Sequence, residues 1–395
     1  MEVGRALYLV SGRGQAALAE LEPRLDGLDL NQLSAALRKR HAPDEAAALA
    51  EQVTLRKKAR ERFAEELGML YSAEGLEMMT HPVVARRRAA RLVRLGLPVA
   101  DLTCGLGGDL RAYRTAGATV LGVEHDAATA LLAGANVPDA AIVRADAEQL
   151  PFKLGGLAVN LDPSRRSAAG RRFGPDAFSP NWDVSLGLLR EAKAGVMKAP
   201  PGINHSHLPD EAETEFVQIG RSMREATVWV GGDAVPGLLR AVLLPANVSL
   251  DSSGPDVDAT CSIPREFVFD PESCATRAGV VRQLGYLLGA QLMDPQVAYL
   301  TADAATFHPM AATFEVLEVM PFSVSRLKQR LRESGWRADE VRRRAFPIEP
   351  DELRRLLGRM EGDAVTLLLT TLGGKRTVII CRRVRESMYE DHETA

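Results

Sequence analysis

The chain has 395 residues, a formal net charge of −3 and 46% hydrophobic residues, enough for a sizeable core and for two or three domains. No apolar run approaches the ~20 residues of a spanning helix, and Met1-Glu2-Val3-Gly4-Arg5 lacks the basic-then-apolar pattern of a secretory leader. Cys104, Cys261, Cys274 and Cys381 form no CxxC pair, which argues against a disulfide framework and a thiolate zinc site; a reducing, cytoplasmic setting with no membrane partner and no metal is expected.

The stretch to about residue 90 reads as helical. Segments 31–40 and 45–70 are rich in Ala, Leu, Glu, Arg and Lys with apolar residues at helical spacing, and Pro43-Asp44 marks a helix start between them. Arg56, Lys57, Lys58, Arg60 and Arg62 make either a solvated face or a polyanion contact. From about 97 the texture changes. Short apolar runs at 98–102, 119–124, 141–144, 157–161 and 194–198 alternate with helical stretches, including 109–116 and 126–136. That alternation predicts an α/β domain with a mostly parallel, covered sheet. Runs at 215–219, 226–230 and 240–244 are expected to close the same sheet as antiparallel strands, and the turn-rich 251–258 is a candidate linker. A helix near 273–290 and strands near 297–301 and 314–319 follow. Then come a helix at 323–334, a short strand near 341–346, a helix at 350–359 and strands at 364–370 and 376–382. Leu372-Gly373-Gly374-Lys375 is a hairpin signal joining the last two. The expected division is a helical region (1–90), an α/β domain (91–255) and a small α+β domain (256–395).

Between the first predicted strand and helix lies Asp101-Leu102-Thr103-Cys104-Gly105-Leu106-Gly107-Gly108-Asp109. Glycines at such a turn let a ligand approach the backbone at a helix N-terminus. A dinucleotide pyrophosphate is the common occupant, but an acid beside the loop repels it and suits a ligand with a cationic amine and no phosphate, such as S-adenosylmethionine (SAM). Glu124 ends the second strand, where a carboxylate accepts ribose hydroxyl protons, and Asp146 follows the third, within reach of an adenine amino group. Each acid taken alone reads better as a cap or turn residue; their order is what a SAM pocket requires. The candidate cofactor residues are Asp101, Thr103, Gly105, Gly107, Gly108 and Asp109, with Glu124, His125, Asp146 and Ala147.

The reacting end is sought in Leu157-Ala158-Val159-Asn160-Leu161-Asp162-Pro163-Ser164-Arg165-Arg166, which places a carboxylate at the carboxyl edge of the sheet, where ligands of open α/β sheets bind. Methyltransferases use Asp/Asn-Pro-Pro-aromatic at this place to accept hydrogen bonds from an amine. Here Ser164 and Arg165 replace the second Pro and the aromatic. Asp162 and Pro163 are the catalytic candidates. Arg165 and Arg166 can grip phosphate or merely form a solvated loop. Trp182 can stack a base or belong to the core, and Lys198 either meets an anionic substrate or caps the sheet edge. His205-Ser206-His207 has ligand-like spacing without a clustered third ligand, so no metal is assigned.

With these residues in place, the chain resembles a bacterial family of class I SAM-dependent methyltransferases with a C-terminal THUMP-like domain. The resemblance runs through Ala73-Glu74-Gly75-Leu76-Glu77, Val84 to Ala89, the loop from Asp101 to Asp109, Asp162-Pro163-Ser164-Arg165-Arg166, Lys198 to Gly202, Glu213 to Val217 and Arg265 to Gly279. It departs at Glu77-Met78-Met79-Thr80, where the family carries Glu-Gln-Ala-Thr. The resemblance implies a Rossmann-like domain, SAM as cofactor and methyl transfer; a THUMP-like unit implies RNA by analogy. Independently, Arg326, Lys328, Arg330, Arg332, Arg337, Arg342, Arg343, Arg344, Arg354, Arg355, Arg359, Lys375, Arg376, Arg382 and Arg383 give the tail a basic bias. That bias suits RNA phosphate, or a docking face for acidic parts of the same chain. The expectation is methylation of a nucleobase nitrogen in structured RNA. The rivals are a protein or small-molecule methyltransferase, and an RNA-binding protein that keeps SAM structurally.

Overall fold

The computed structural model describes residues 1–22, 30–64, 68–164, 166–167, 170–171, 178–257 and 263–385. It divides into two compact units. The first is Met1–Ala199 with Ile203–Glu213 and Thr227–Pro236; the second is Pro200–Gly202, Thr214–Ala226 and Gly237–Ala395. These cuts differ from boundaries at 90 and 255.

The first unit opens with α1 (Val3–Val10), α2 (Gly12–Leu21), α3 (Leu30–Leu37), α4 (Pro43–Phe63), α5 (Ala73–Met78) and α6 (Pro82–Val93). Pro43 begins α4, and the Glu45 carboxylate reaches back to the Ala42 N–H at 3.2 Å, satisfying an orphan donor of the first turn. The helix stops at Ala64, whose φ of 53° breaks the right-handed run, so it falls short of the expected residue 70. The α/β part follows as β1 (Val99–Asp101), α7 (Gly108–Thr115), β2 (Val120–Glu124), α8 (Ala127–Asn136), β3 (Ala141–Arg144) and β4 (Ala158–Leu161). A two-stranded ribbon, β5 (Arg166–Ser167) with β6 (Gly170–Arg171), precedes α9 (Trp182–Glu191) and β7 (Ala194–Ala199).

Here the sheet runs β3-β2-β1-β4-β7, all parallel. The chain winds outward from β1 to β3 and then returns to lay β4 beside β1. That reversal is the switch point where doubly wound sheets open a crevice beyond their strand ends. Asp101 and Asp162 stand at those ends, of β1 and just past β4. The N-terminal helices have no separate core. Leu9, Leu49, Met69 and Leu76 share one cluster with Leu106 of the glycine loop and with Ala128 and Leu132 of α8.

In the second unit, Thr214–Ile219 of β8 (Glu213–Ile219) pair in parallel with β10 (Leu239–Leu244), from Leu239↔Thr214 to Leu244↔Ile219, which corrects the expectation of antiparallel closure. β9 (Ser222–Gly231) separates them in sequence, leaving room for a crossover rather than a hairpin. β11 (Val248–Asp251) is antiparallel to β10. The expected single helix over 273–290 is two, α10 (Ser273–Ala278) and α11 (Val281–Leu288), because Gly279 adopts a left-handed φ of 72°.

A seven-stranded sheet is formed by β12 (Phe267–Pro271), β13 (Gln291–Asp294), β14 (Val297–Ala302), β15 (Ala311–Pro321), β16 (Trp336–Arg343), β17 (Asp363–Leu372) and β18 (Lys375–Val384). Its order is β13-β14-β12-β15-β18-β17-β16. α12 (Val324–Glu333) and α13 (Pro350–Leu357) bury Leu327, Leu331, Leu353 and Leu357 against Val365, Leu367, Leu369, Val378 and Ile380. Gly373 and Gly374, at φ 52° and 77°, make the expected two-residue turn between β17 and β18.

Candidate active site

A cavity of about 620 Å³ opens beside the glycine loop. Of the residues singled out in the sequence, Thr103, Gly105, Gly108, Asp109, Glu124, His125 and Asp162 line it. The loop turns through Gly105 (φ 52°) and Gly107 (φ 84°), and Gly107 caps α7. A Cβ on Gly105 would meet nothing within 4 Å, so this backbone is open to a ligand; one on Gly107 would come within 3.1 Å of Val137 Cγ2, so that glycine serves packing. Glu124 is nearly buried; its carboxylate accepts the Gly105 N–H at 3.1 Å and the Asp126 N–H at 2.9 Å, with His125 Nδ1 at 3.1 Å. It therefore ties the glycine loop to the end of β2 while presenting an acidic wall.

The remaining wall was not foreseen. Residues 72–75 and 78–80, from α5 and its flanks, line the cavity, as do Met1 and Glu51. Ser72 caps α5 by accepting the Gly75 N–H at 3.1 Å. Asn136, at the end of α8, holds the entry to this segment: it accepts the Leu70 N–H at 2.7 Å and donates to Leu70 O and Leu106 O, each at 2.9 Å. The one sequence signal was the block of resemblance at 73–77, which carried no assigned role.

Below the loop lies a buried polar network. Arg88 of α6, 2% exposed, reaches Asp109 Oδ1 at 3.2 Å and Asn160 Oδ1 at 3.1 Å. Tyr113 donates to the same Asn160 oxygen at 2.9 Å, and Thr80 Oγ1 donates to Asp109 Oδ2 at 2.8 Å. Asp101 belongs to this floor and not to the cavity wall: it is 1% exposed and accepts the Thr103 N–H at 3.4 Å. Burial, with the Asp109 charge second, pushes its carboxyl up to about 8. The argument from an anionic Asp101 is corrected accordingly, since burial favours the neutral acid near neutral pH.

Other expectations divide. Asp162 keeps the predicted place: its N–H donates to Thr103 Oγ1 at 2.7 Å, and its Oδ2 accepts Lys198 Nζ at 2.6 Å. Lys198 is therefore neither a bare edge cap nor an open anion contact. Pro163 is buried behind Asp162 and does not line the cavity. Asp146 is exposed, accepts the Glu148 N–H at 2.9 Å as a turn residue and, like its buried neighbour Ala147, stands off the cavity wall. Trp182, 4% exposed and 5.4 Å from the Phe178 ring, is a core residue with no face for an incoming base; that role is withdrawn. Arg165 and the side chain of Arg166 lie outside the described residues.

Much of the tail's basic bias is spent internally. Asp270 takes Arg342 and Arg344, each at 2.7 Å; Glu318 takes Arg330 at 2.6 Å, Asp339 takes Arg337 at 2.6 Å, and Glu349 takes Arg343. Arg354 pairs with Asp351 at 2.9 Å and Arg382 with Glu315 at 3.3 Å. Among the described residues, Arg326, Arg332, Arg359, Arg376 and Arg383 form no ion pair.

Comparison with known proteins accords with this geometry. The chain is 32% identical over 360 residues to uncharacterized S-adenosylmethionine-dependent methyltransferases of two Mycobacterium tuberculosis strains, CDC 1551 / Oshkosh and H37Rv, covering 87% of this chain and 98% of each relative. The chain belongs to this family of SAM-dependent methyltransferases. A crystal structure of a protein from Porphyromonas gingivalis W83, assigned as a methyltransferase, superposes with a TM-score of 0.72 at 21% identity over 94% of this chain and 99% of that one, which shows the shared fold. Residues 311–383 match a family described as THUMP domain-like, and residues 5–59 match a domain of unknown function (DUF8688).

SAM is the methyltransferase's cofactor, and the cavity suits it on its own evidence. Its volume accommodates a nucleoside with an amino-acid tail, Gly105 leaves backbone exposed, and Glu124 lines it with carboxylate oxygens, which suit hydroxyl donors such as those of a ribose. No helix among the described residues is long and apolar enough to cross a membrane.

Proposed function

We propose that this methyltransferase modifies a nucleobase nitrogen, amino or ring, in structured RNA. The observation that carries the reading is that Asp162 lines the same cavity as the glycine loop and Glu124, so a carboxylate from the Asp-Pro motif faces the space that SAM requires. SAM supplies an electrophilic methyl group when bound. Asp162 accepts a hydrogen bond from the acceptor's N–H and aims the nitrogen lone pair; Thr103 fixes the backbone from which it does so. Gly105, Gly108, Glu124 and His125 hold the cofactor, with Asp109 and Thr80 at the cavity floor. Arg165, Arg166 and the arginines of the THUMP-like domain that form no internal ion pair supply contacts for phosphate.

RNA is supported by the THUMP-like domain and its residual basic side chains. One observation favours a second reading, a protein or small-molecule acceptor: the internal pairing of Arg330, Arg337, Arg342, Arg343, Arg344, Arg354 and Arg382 reduces the charge offered to phosphate. Incubation of the protein with labelled SAM and total RNA from a strain lacking it, followed by nucleoside mass spectrometry, separates the two. A new methylated nucleoside is expected. Label appearing only in protein or small molecules would replace this reading with the second.

A further inference from the structure

We propose that Lys198 is a positioning residue for Asp162, holding one carboxylate oxygen so that only the other is offered to the methyl acceptor. The inference rests on the assignment of Asp162 to the reacting end and deepens it by restricting the acceptor's chemistry.

β4 and β7 are adjacent parallel strands with Leu161↔Met197 in register, so Asp162, just past β4, and Lys198, one residue before the end of β7, lie side by side at the same edge of the sheet. Lys198 Nζ lies 2.6 Å from Asp162 Oδ2 and 3.5 Å from the carbonyl oxygen of Met78, at the end of α5. The side chains are 19% and 23% exposed, so solvent screens the pair less than it screens a surface ion pair. Asp162 faces the cavity and Lys198 does not. An ordinary edge pair would leave both partners mostly in solvent; here the ammonium lies between the carboxylate and the carbonyl at the end of α5.

The chemical consequence concerns the proton. A carboxylate with an ammonium on one oxygen still offers the other as a hydrogen-bond acceptor. Asp162 therefore selects an acceptor nitrogen that already carries an N–H and orients it, while the proton lost on methylation leaves to water. The substrate group implied is an N–H that keeps a lone pair for attack, as on an exocyclic amino group. A thiolate or a carboxylate acceptor, having no proton to donate, would be repelled by Asp162.

The test compares wild type with Lys198→Met, Lys198→Arg, Asp162→Ala and the Asp162→Ala/Lys198→Met double variant, measuring SAM affinity by calorimetry and methyl transfer from labelled SAM. The acceptor is total RNA, and in parallel whole-cell protein and metabolite extract. Lys198→Met is expected to lower kcat at least about 10-fold with SAM affinity unchanged within about twofold, Lys198→Arg to recover part of the loss, and the double variant to be no worse than Asp162→Ala alone. Equal kcat in Lys198→Met, a loss confined to the acceptor's KM, or additive losses in the double variant would overturn the proposal. Which pool takes label from wild type decides the RNA reading separately, since the variant ratios hold for whichever acceptor is labelled. Crystal structures of wild type and Lys198→Met give a readout without any acceptor. The Asp162 carboxylate is expected to leave its present rotamer in the variant; an unmoved carboxylate would overturn the proposal equally.

Discussion

The raised pKa of Asp101 makes a prediction about stability. Asp101 is 1% exposed under the glycine loop, and burial lifts its carboxyl to about 8, against about 3.9 in an unfolded chain. Below about pH 4 the carboxyl is protonated in both states and costs nothing. Between about 4 and 8 the folded protein holds a proton that the unfolded chain has released, so stability falls by about 1.4 kcal/mol per pH unit. The loss is on the order of 3 kcal/mol from pH 5 to pH 7 and larger again once pH exceeds 8. Asp101→Asn keeps the shape and an acceptor for the Thr103 N–H but cannot titrate. Trp182 and Trp229 both lie in the first unit and Trp336 in the second, so urea unfolding followed by tryptophan fluorescence in a Trp336→Phe background reports the first unit alone. The stability of Asp101→Asn relative to the parent should rise by about 2–3 kcal/mol from pH 5 to pH 7. The same pH slope in both, within about 0.5 kcal/mol, would refute an internally held proton at Asp101.

Arg88→Met removes the guanidinium between Asp109 and Asn160 and leaves a buried carboxylate unpaired; the same unfolding assay should show a loss of about 3–5 kcal/mol. Glu124→Ala deletes both a cavity-lining carboxylate and the acceptor for the Gly105 and Asp126 N–H groups, and calorimetry should find SAM binding weakened at least about 10-fold. A Cβ on Gly75 would lie 2.6 Å from Leu106 Cγ and Cδ1, so Gly75→Ala should push α5 off the loop, costing about 1–3 kcal/mol of stability and weakening SAM binding. Unchanged affinity would remove α5 from the cofactor wall.

The legible parts of the site are those whose chemistry and placement are both local. Asp101 to Asp109, Glu124 and Asp162 each sit at the end of a short apolar run, and in a parallel sheet strand ends gather at one edge without any need to know the neighbours. What failed to show depended on burial or on distant partners. Nothing in the sequence around Asp101 says whether water reaches it, so its charge state was misjudged. Trp182 has the same neighbours in sequence whether it stacks a base or fills the core behind Phe178; only packing decides. The parallel pairing of β8 with β10 was invisible because the runs are short and their spacing admits either a meander or a crossover. The basic tail was read correctly in composition but not in charge: Asp270 and Glu315 lie far in sequence from the arginines they take, and proximity in sequence alone does not show that Glu318, Asp339, Glu349 and Asp351 are paired.

The N-terminal helices show the same principle most fully. Read alone, 1–90 is an accessory helical region. In the folded chain its apolar residues share a core with Leu106 and with α8, α5 walls the cavity, and Arg88 of α6 neutralises Asp109 beneath it. A glycine loop needs a rigid support to hold backbone N–H groups toward a ligand. Here that support comes from both sides: Glu124 and Asn136 from the α/β part, and Leu76 and Arg88 from the helices. The candidate cofactor site is therefore a product of the whole first unit. The glycine signature marks where the site is, but its floor and one of its walls come from residues that no periodicity or motif joins to it.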